Sequence, residues 1–241
     1  LPKILTKDEL QARFNNRMNM SELQLEQLFG NKLTSMQKRY LEKGIRYQLI
    51  YDIETSDFDP EQNFIICYCG IVRDILTGKI EKVQDSITKK DIQQAVNNQS
   101  FDFDKRLLET LSYNIRNVDH VVGHYSTKFD NPYFRSRCLF TNQSELIPEY
   151  GEVNYGDTWR MMKTTMKAKR NTLKNFIRQT TGNDEKTFVD LKYWYITHFK
   201  DHKLWTKAMG YIIDHCVKDV KMTYEGLLKA EKFNSIQRMK A

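Results

Sequence analysis

Apolar positions fall into short runs in the first half of the chain and recur at helical spacing between and beyond them. The first run starts at Tyr47, passes through Asp52-Ile53-Glu54-Thr55 and stops at Ser56-Asp57-Phe58-Asp59-Pro60, so a buried strand is predicted over residues 47–53, bounded by a turn. Residues 64–73 form an unbroken apolar run, the pattern of a central strand, and residues 79–83 follow after the Thr77-Gly78 turn. Two hairpins would join the three into an antiparallel meander. A polar stretch rich in Asp, Gln and Asn then predicts an exposed loop with a short helix. Residues 101–116 carry Leu107, Leu108, Leu111 and Ile115 on one stripe, which predicts a helix. Short strands are predicted at 118–123 and 153–157. A helix is predicted to follow Pro132, and a long one to run through Tyr211, Tyr224 and Leu228.

The first 44 residues have a different pattern. They predict three short helices, each opening on a capping box: Thr6 with Glu9, Ser21 with Gln24, and Thr34 with Gln37. Leu10 and Phe14, then Leu25, Leu28 and Phe29, then Met36 and Tyr40 supply the apolar faces; Gly30-Asn31 breaks the second helix and Gly44 ends the third. A helix-turn-helix reading DNA through Gln37, Lys38 and Arg39 fits this pattern, and so does a small helical cap on the main domain. The shortness of the region and its interspersed acids favour the cap. The expected division is a helical appendage over residues 1–45 and one main domain over 46–241, long enough to bury a sizeable core.

Composition narrows the class. Aromatic residues make up 12% of the chain and there are only four Pro, which argues against intrinsic disorder. No apolar run is long enough to span a bilayer and nothing at the start reads as a secretion signal, so an intracellular protein, cytoplasmic or nuclear (nucleoid), is expected, with no membrane partner. The chain begins with Leu rather than Met and is expected to be a fragment or processed product. Lys and Arg exceed Asp and Glu by 38 − 31 = 7, which suits a polyanionic partner. Cys67, Cys69, Cys138 and Cys216 show no C-x-x-C spacing, so reduced buried thiols in a reducing compartment are expected rather than a structural zinc site.

Three stretches carry candidate chemistry. Asp52 and Glu54 project from one face of a strand, about 7 Å apart along the backbone. Two carboxylates so placed at the end of a buried strand repel each other unless a cation lies between them, and hard divalent ions take such oxygen donors. A solvated strand end is the plain alternative. The second stretch runs from Gly123-His124-Tyr125 to Phe129-Asp130-Asn131-Pro132-Tyr133-Phe134, with Arg135 and Arg137 on the helix that follows. An N-cap is the plain structural use of Asp130. The third is His215-Cys216-Val217-Lys218-Asp219, in which His215 and Asp219 share a helix face while Asp214 points elsewhere. A structural hydrogen-bonded pair is the alternative there. Between the second and third stretches, Lys163, Lys167, Lys169, Arg170, Lys174 and Arg178 form the strongest basic segment, fit to neutralise phosphates or simply to face solvent. Tyr193, Trp194 and Trp205 further on suit base stacking or core packing.

Together these stretches resemble the DEDD superfamily of 3′–5′ exonucleases, which have a ribonuclease H-like fold. Asp-Ile-Glu-Thr at 52–55 is similar to the first motif, Phe129-Asp130 with Pro132-Tyr133 to the second, and His215 to Asp219 to the third. Asp157-Thr158, Asn171-Thr172-Leu173 and the Lys186 region also look like the stretch between the second and third motifs. The resemblance covers about residues 46–230 and lies nearest the exonuclease domain of B-family DNA polymerases and its free-standing relatives. That branch carries Tyr four residues before its last Asp, where this chain has His215; the His-bearing branch places its His five residues before. Tyr125 stands where many relatives have Asn.

The resemblance implies an α/β domain with a mixed sheet flanked by helices. It implies two divalent cations, Mg²⁺ or Mn²⁺, held by Asp52, Glu54, Asp130 and Asp219, with His215 as general base, since a neutral imidazole can take a water proton at physiological pH. Ile53 and Thr55 would lie against the terminal nucleotide, and Tyr125, Phe129, Lys169, Arg170 and Lys174 would bind the strand. The expected activity is 3′–5′ hydrolysis of single-stranded or frayed DNA ends to nucleoside 5′-monophosphates, with single-stranded DNA as partner and no protein partner named. An RNA-trimming exoribonuclease, an inactive nucleic-acid-binding module and a structure-selective endonuclease are the alternatives.

Overall fold

Residues 33–183 and 189–232 are described by the computed structural model; the two helices expected within residues 1–32 and the Lys186 region lie outside them. Five strands, β1 (Tyr47–Thr55), β2 (Ile65–Asp74), β3 (Ile80–Ser86), β4 (His120–Gly123) and β5 (Asn154–Asp157), form one sheet in the order β3-β2-β1-β4-β5. The first three are the predicted antiparallel meander, and β4 and β5 add in parallel on the other side of β1. Seven α-helices are described: α1 (Ser35–Leu41), α2 (Lys89–Asn97), α3 (Lys105–Arg116), α4 (Asp130–Phe140), α5 (Thr158–Thr164), α6 (Leu173–Thr181) and α7 (His202–Ala230). A mixed sheet of this order between helices is the ribonuclease H-like α/β fold.

Burial explains the strand patterns. β2 is paired on both sides and buried along nearly its whole length, which its unbroken apolar run requires. It is interior but not the middle strand; that place belongs to β1. β3 forms an edge and its Glu81 and Lys82 are exposed, so charge guards the open side. Along β1 the faces divide. Tyr51 donates from its hydroxyl to Asn131 Oδ1 (2.5 Å) on α4, and on the same sheet face Tyr68 of β2 accepts from Asn114 of α3 (2.8 Å). Ile50 packs with Leu227 of α7 on the other face, which also presents Asp52 and Glu54. The buried residues of α7, among them Ala208, Ile212, Cys216, Val220, Thr223 and Leu227, recur every three or four positions and form the stripe that lies on the sheet.

The helix predicted over residues 101–116 begins only at Lys105. Asp104 occupies its N-cap position without capping, because its carboxylate accepts from Ile65 N (2.9 Å) and pairs with Arg137 through Nε (2.9 Å) and Nη2 (2.8 Å). Arg137 also donates to Pro60 O (3.0 Å), so one buried ion pair ties α3, α4, the start of β2 and the turn after β1.

α1 has the predicted capping box, and it packs on the domain. Gln37 spends its amide on Thr34 N (2.8 Å) and on the carbonyls of Ile75 (3.1 Å) and Leu76 (3.0 Å), so it is not a free base-reading side chain. Tyr40 donates to Glu231 Oε1 (2.5 Å), which also receives Arg73 Nη2 (2.6 Å), linking α1 to β2 and to the end of α7.

α6 packs on α7 at Gly226, where a Cβ would collide with the Phe176 ring. Gly226→Ala is therefore expected to cost about 1–3 kcal/mol through forced repacking, outweighing the alanine's better helix propensity. Chemical denaturation checks this as a lower midpoint at unchanged slope.

Candidate active site

Asp52 and Glu54 lie near the C-terminal end of β1 on the face that α7 crosses, half-buried, opposite Cys69 and Cys67 of β2. A register shift between Glu54 and Thr55 ends regular pairing just beyond them. Ile53 and Thr55 alternate onto the other face and are buried there, so their side chains do not share a surface with the carboxylates; only their backbone borders the site.

Asp130 does not cap its helix. Phe129 takes the N-cap position without a side-chain bond, and Asp130 opens the first turn, where the helix dipole favours a negative charge. Its buried carboxylate instead accepts from Ile53 N (3.1 Å), which places it beside Asp52 and Glu54 across the strand. The loop leading there is held by Asp157, which caps α5 through Trp159 N (2.8 Å) and also accepts from Tyr125 N (2.9 Å), Thr127 N (3.1 Å) and Thr127 Oγ1 (2.6 Å). Tyr125 sits at φ +67, a left-handed conformation that costs a non-glycine residue about 1–2 kcal/mol and persists because Asp157 fixes it.

α7 supplies the third side. His215 Nε2 lies 3.8 Å from Asp219 Oδ2 and 3.9 Å from Glu54 Oε1, so the imidazole stands between a carboxylate of its own helix and one of the sheet. Asp214 turns outward and pairs with Lys218 (2.6 Å), as its spacing predicts. Trp194 was not singled out for this site, yet its ring meets His215 edge-on at 6.0 Å and its side chain hydrogen-bonds Glu54. No periodicity marks it, and its place beside His215, 21 positions further on, is a tertiary contact.

The carboxylates act on one another. Burial, then the charges of Asp130, Glu54 and Asp219, push Asp52 far above the usual carboxylate range. Burial, then Asp219 and Asp130, do the same to Glu54, and the Trp194 hydrogen bond opposes it. Burial raises Asp130 to about 7 against the bond from Ile53 N. Among the described residues no Lys or Arg forms an ion pair with Asp52, Glu54 or Asp130. An unfolded Asp titrates near 3.9, so the folded protein holds the Asp130 proton more tightly. That contribution to stability is complete below about pH 4 and is lost as pH rises toward 7. In EDTA the melting temperature is thus expected to fall by several degrees from pH 5 to 7.5, and excess Mg²⁺ should flatten the profile; calorimetry across that range, with and without the ion, measures both.

Phe129 packs its ring between Phe58 (5.9 Å) and Tyr133 (5.5 Å), and Phe58 is 82% exposed. Tyr125 is exposed and meets Trp159 edge-on at 5.3 Å, with Lys163 over the indole at 5.1 Å. Lys169, Arg170 and Lys174 are exposed on the segment joining α5 to α6 and on the first turn of α6. His124 anchors that segment: its Nε2 pairs with Asn171 O (2.9 Å) and its Nδ1 with Thr158 Oγ1 (2.9 Å). Tyr193 and Trp205 pack against the main core. All four cysteines are reduced and buried. Burial pushes the Cys216 thiol up, whereas the neighbouring Cys216 and Cys67 thiols draw Cys69 down to about 5.

The fold has a solved counterpart. A family B DNA polymerase from the hyperthermophilic archaeon Pyrobaculum calidifontis superposes with a TM-score of 0.55 at 17% identity, over 76% of this chain. The match takes in 24% of the polymerase, so the chain spans about a quarter of that protein's length. No family model and no curated protein sequence matches the chain. Among the described residues, no helix is long and apolar enough to cross a membrane.

Proposed function

We propose that the protein is a metal-dependent 3′–5′ exonuclease that removes nucleoside 5′-monophosphates from single-stranded or frayed DNA ends. The observation that carries this reading is the convergence of Asp52, Glu54 and Asp130 from two separate segments, without a Lys or Arg partner among the described residues, beside Asp219 and His215 of a third. Such a set of half-buried and buried, mutually repelling oxygen donors fits hard divalent cations. The shared fold with a DNA polymerase supports a nucleic-acid partner.

Asp52, Glu54, Asp130 and Asp219 would hold two divalent ions, Mg²⁺ or Mn²⁺. Bound there, the ions would polarise the scissile phosphate, favour ionisation of the attacking water and stabilise the leaving 3′ oxygen. His215 stands on the rim of this group, where its Nε2 accepts the water proton, and Asp219 and Glu54 on either side stabilise the imidazolium that results. Trp194 fixes both His215 and Glu54. Phe58, Phe129, Tyr125 and Trp159 offer π-faces for the terminal bases, and Lys169, Arg170 and Lys174 neutralise phosphates further along the strand.

Digestion of 5′-labelled oligonucleotides tests the reading. Single-stranded DNA with Mg²⁺ or Mn²⁺ is expected to give a ladder that shortens from the 3′ end. Faster loss of matched RNA would make the enzyme an exoribonuclease, and cutting of a 3′-blocked strand would make it an endonuclease. A gel shift without cleavage would leave only a binding module. His215→Ala is expected to slow the reaction by about 10²–10⁴-fold and to remove one limb of the pH–rate profile; an unchanged profile would rule His215 out as the base.

A further inference from the structure

The nuclease reading leaves a group of three thiols unused beneath the carboxylates. Cys67 and Cys69 face Glu54 and Asp52 in the β1–β2 register, and Cys216 meets them from α7, close enough for the three thiols to perturb one another. Cys216 Sγ donates to Asp52 O at 3.4 Å, which draws the sulfur to the root of that residue. A carboxylate oxygen of Asp52, one of Glu54 and the Cys216 sulfur all lie within 4.8 Å of one another.

A sulfur among these donors changes which ions the site takes. Mg²⁺ gains nothing from a thiol, whereas thiolate together with carboxylate suits a thiophilic divalent ion. Zinc binds sulfur at about 2.3 Å and carboxylate oxygen at about 2.0–2.2 Å, so in a tetrahedral shell sulfur and oxygen stand roughly 3.6 Å apart and two oxygens roughly 3.4 Å. Donors within 4.8 Å of one another therefore close by about 1 Å or a little more, which side-chain rotation of Asp52 and Glu54 supplies. Three protein donors leave a fourth tetrahedral position for water.

We propose that Cys216, Asp52 and Glu54 form a site for a thiophilic divalent cation, with Zn²⁺ the best match, which shares two donors with the hard-ion site and excludes it. On binding, the Cys216 S–H bond breaks, its proton leaves to solvent and a metal–sulfur bond forms, with no change of oxidation state. The proposal rests on the nuclease reading only for its consequence: zinc would hold the enzyme idle against Mg²⁺.

Cobalt is the probe, because a thiolate–Co²⁺ bond absorbs by charge transfer in the near ultraviolet and oxygen ligands do not. Titrating the full chain with Co²⁺ is expected to raise that band, and Zn²⁺ added afterwards should abolish it. In Cys216→Ser the band should vanish and the Co²⁺ dissociation constant rise at least tenfold. Should that variant fail to fold, zinc K-edge absorption of the wild-type protein decides, with one sulfur at about 2.3 Å expected. A band that never appears, a band that survives in Cys216→Ser, or a zinc shell of oxygen and nitrogen alone overturns the proposal. The Mg²⁺ ladder is read separately, so a sulfur-free site with an intact ladder sinks this inference and leaves the exonuclease standing, and the reverse pattern does the opposite.

Discussion

Asp52→Asn is expected to abolish Mg²⁺-dependent digestion, a loss of about 10³-fold or more, while raising the melting temperature of the EDTA-treated protein. Both effects have one cause. Asp52 is held among Asp130, Glu54 and Asp219, whose charges add to burial in opposing its ionisation. An amide of the same shape is neutral without taking up a proton, which removes the cost of holding that carboxyl in the site near neutral pH, about 1 kcal/mol or more, and it also removes a donor that a divalent ion requires. Mg²⁺ should raise the melting temperature of the wild type by mass action and that of the variant much less. A variant that misfolds would lose activity and stability together, so the opposite signs identify a functional carboxylate. Digestion retained at near wild-type rate would overturn the assignment of Asp52 to the site.

Arg137→Leu is expected to be the most destabilising single change away from the site. Arg137 is 2% exposed and its partner Asp104 is fully buried, so removing the guanidinium leaves a carboxylate with no water and no counter-charge. Breaking a buried pair in this way costs about 3–5 kcal/mol, which for a domain of this size lowers the melting temperature by roughly 6–20 °C. Adding Asp104→Asn should recover part of the loss, because the amide is neutral and carries no charge to strand. A shift of only about 2–4 °C, the equivalent of 1 kcal/mol, would show that the pair does not hold α3 and α4 together.

The contrast between Asp52 and Arg137 shows how far a sequence can be read. Asp52 and Glu54 were legible because alternation along a strand puts them on one face, and a buried strand cannot keep two acids there without a reason. Arg137 looked like one more base on a helix next to a candidate acid, and Asp104 looked like part of the helix that in fact starts after it. Their pairing spans 33 positions and involves no periodic signal. Asp130 shows the same limit: a cap was the plain alternative to the metal-ligating role that the resemblance implies, and no local signal tells that its carboxylate accepts from Ile53 N, far away in sequence. Ile53 and Thr55 were placed near the terminal nucleotide by resemblance, and their side chains lie on the opposite face, as the same alternation that selects Asp52 and Glu54 demands.

By itself the sequence determined the elements and their order: a meander of three strands, two shorter strands, helices at α3 and α7, and acids at three separate places. Hydrophobic period and turn chemistry are local properties, and they carry that much. Only the tertiary structure decided that β1 lies in the middle, that α7 crosses it at Asp52 and Glu54, and that Trp194 and Cys216 join the carboxylates. Those contacts form between segments up to about 160 residues apart (Cys216 Sγ and Asp52 O are 164 positions apart), and they exist because burying the apolar faces of sheet and helix brings the segments together.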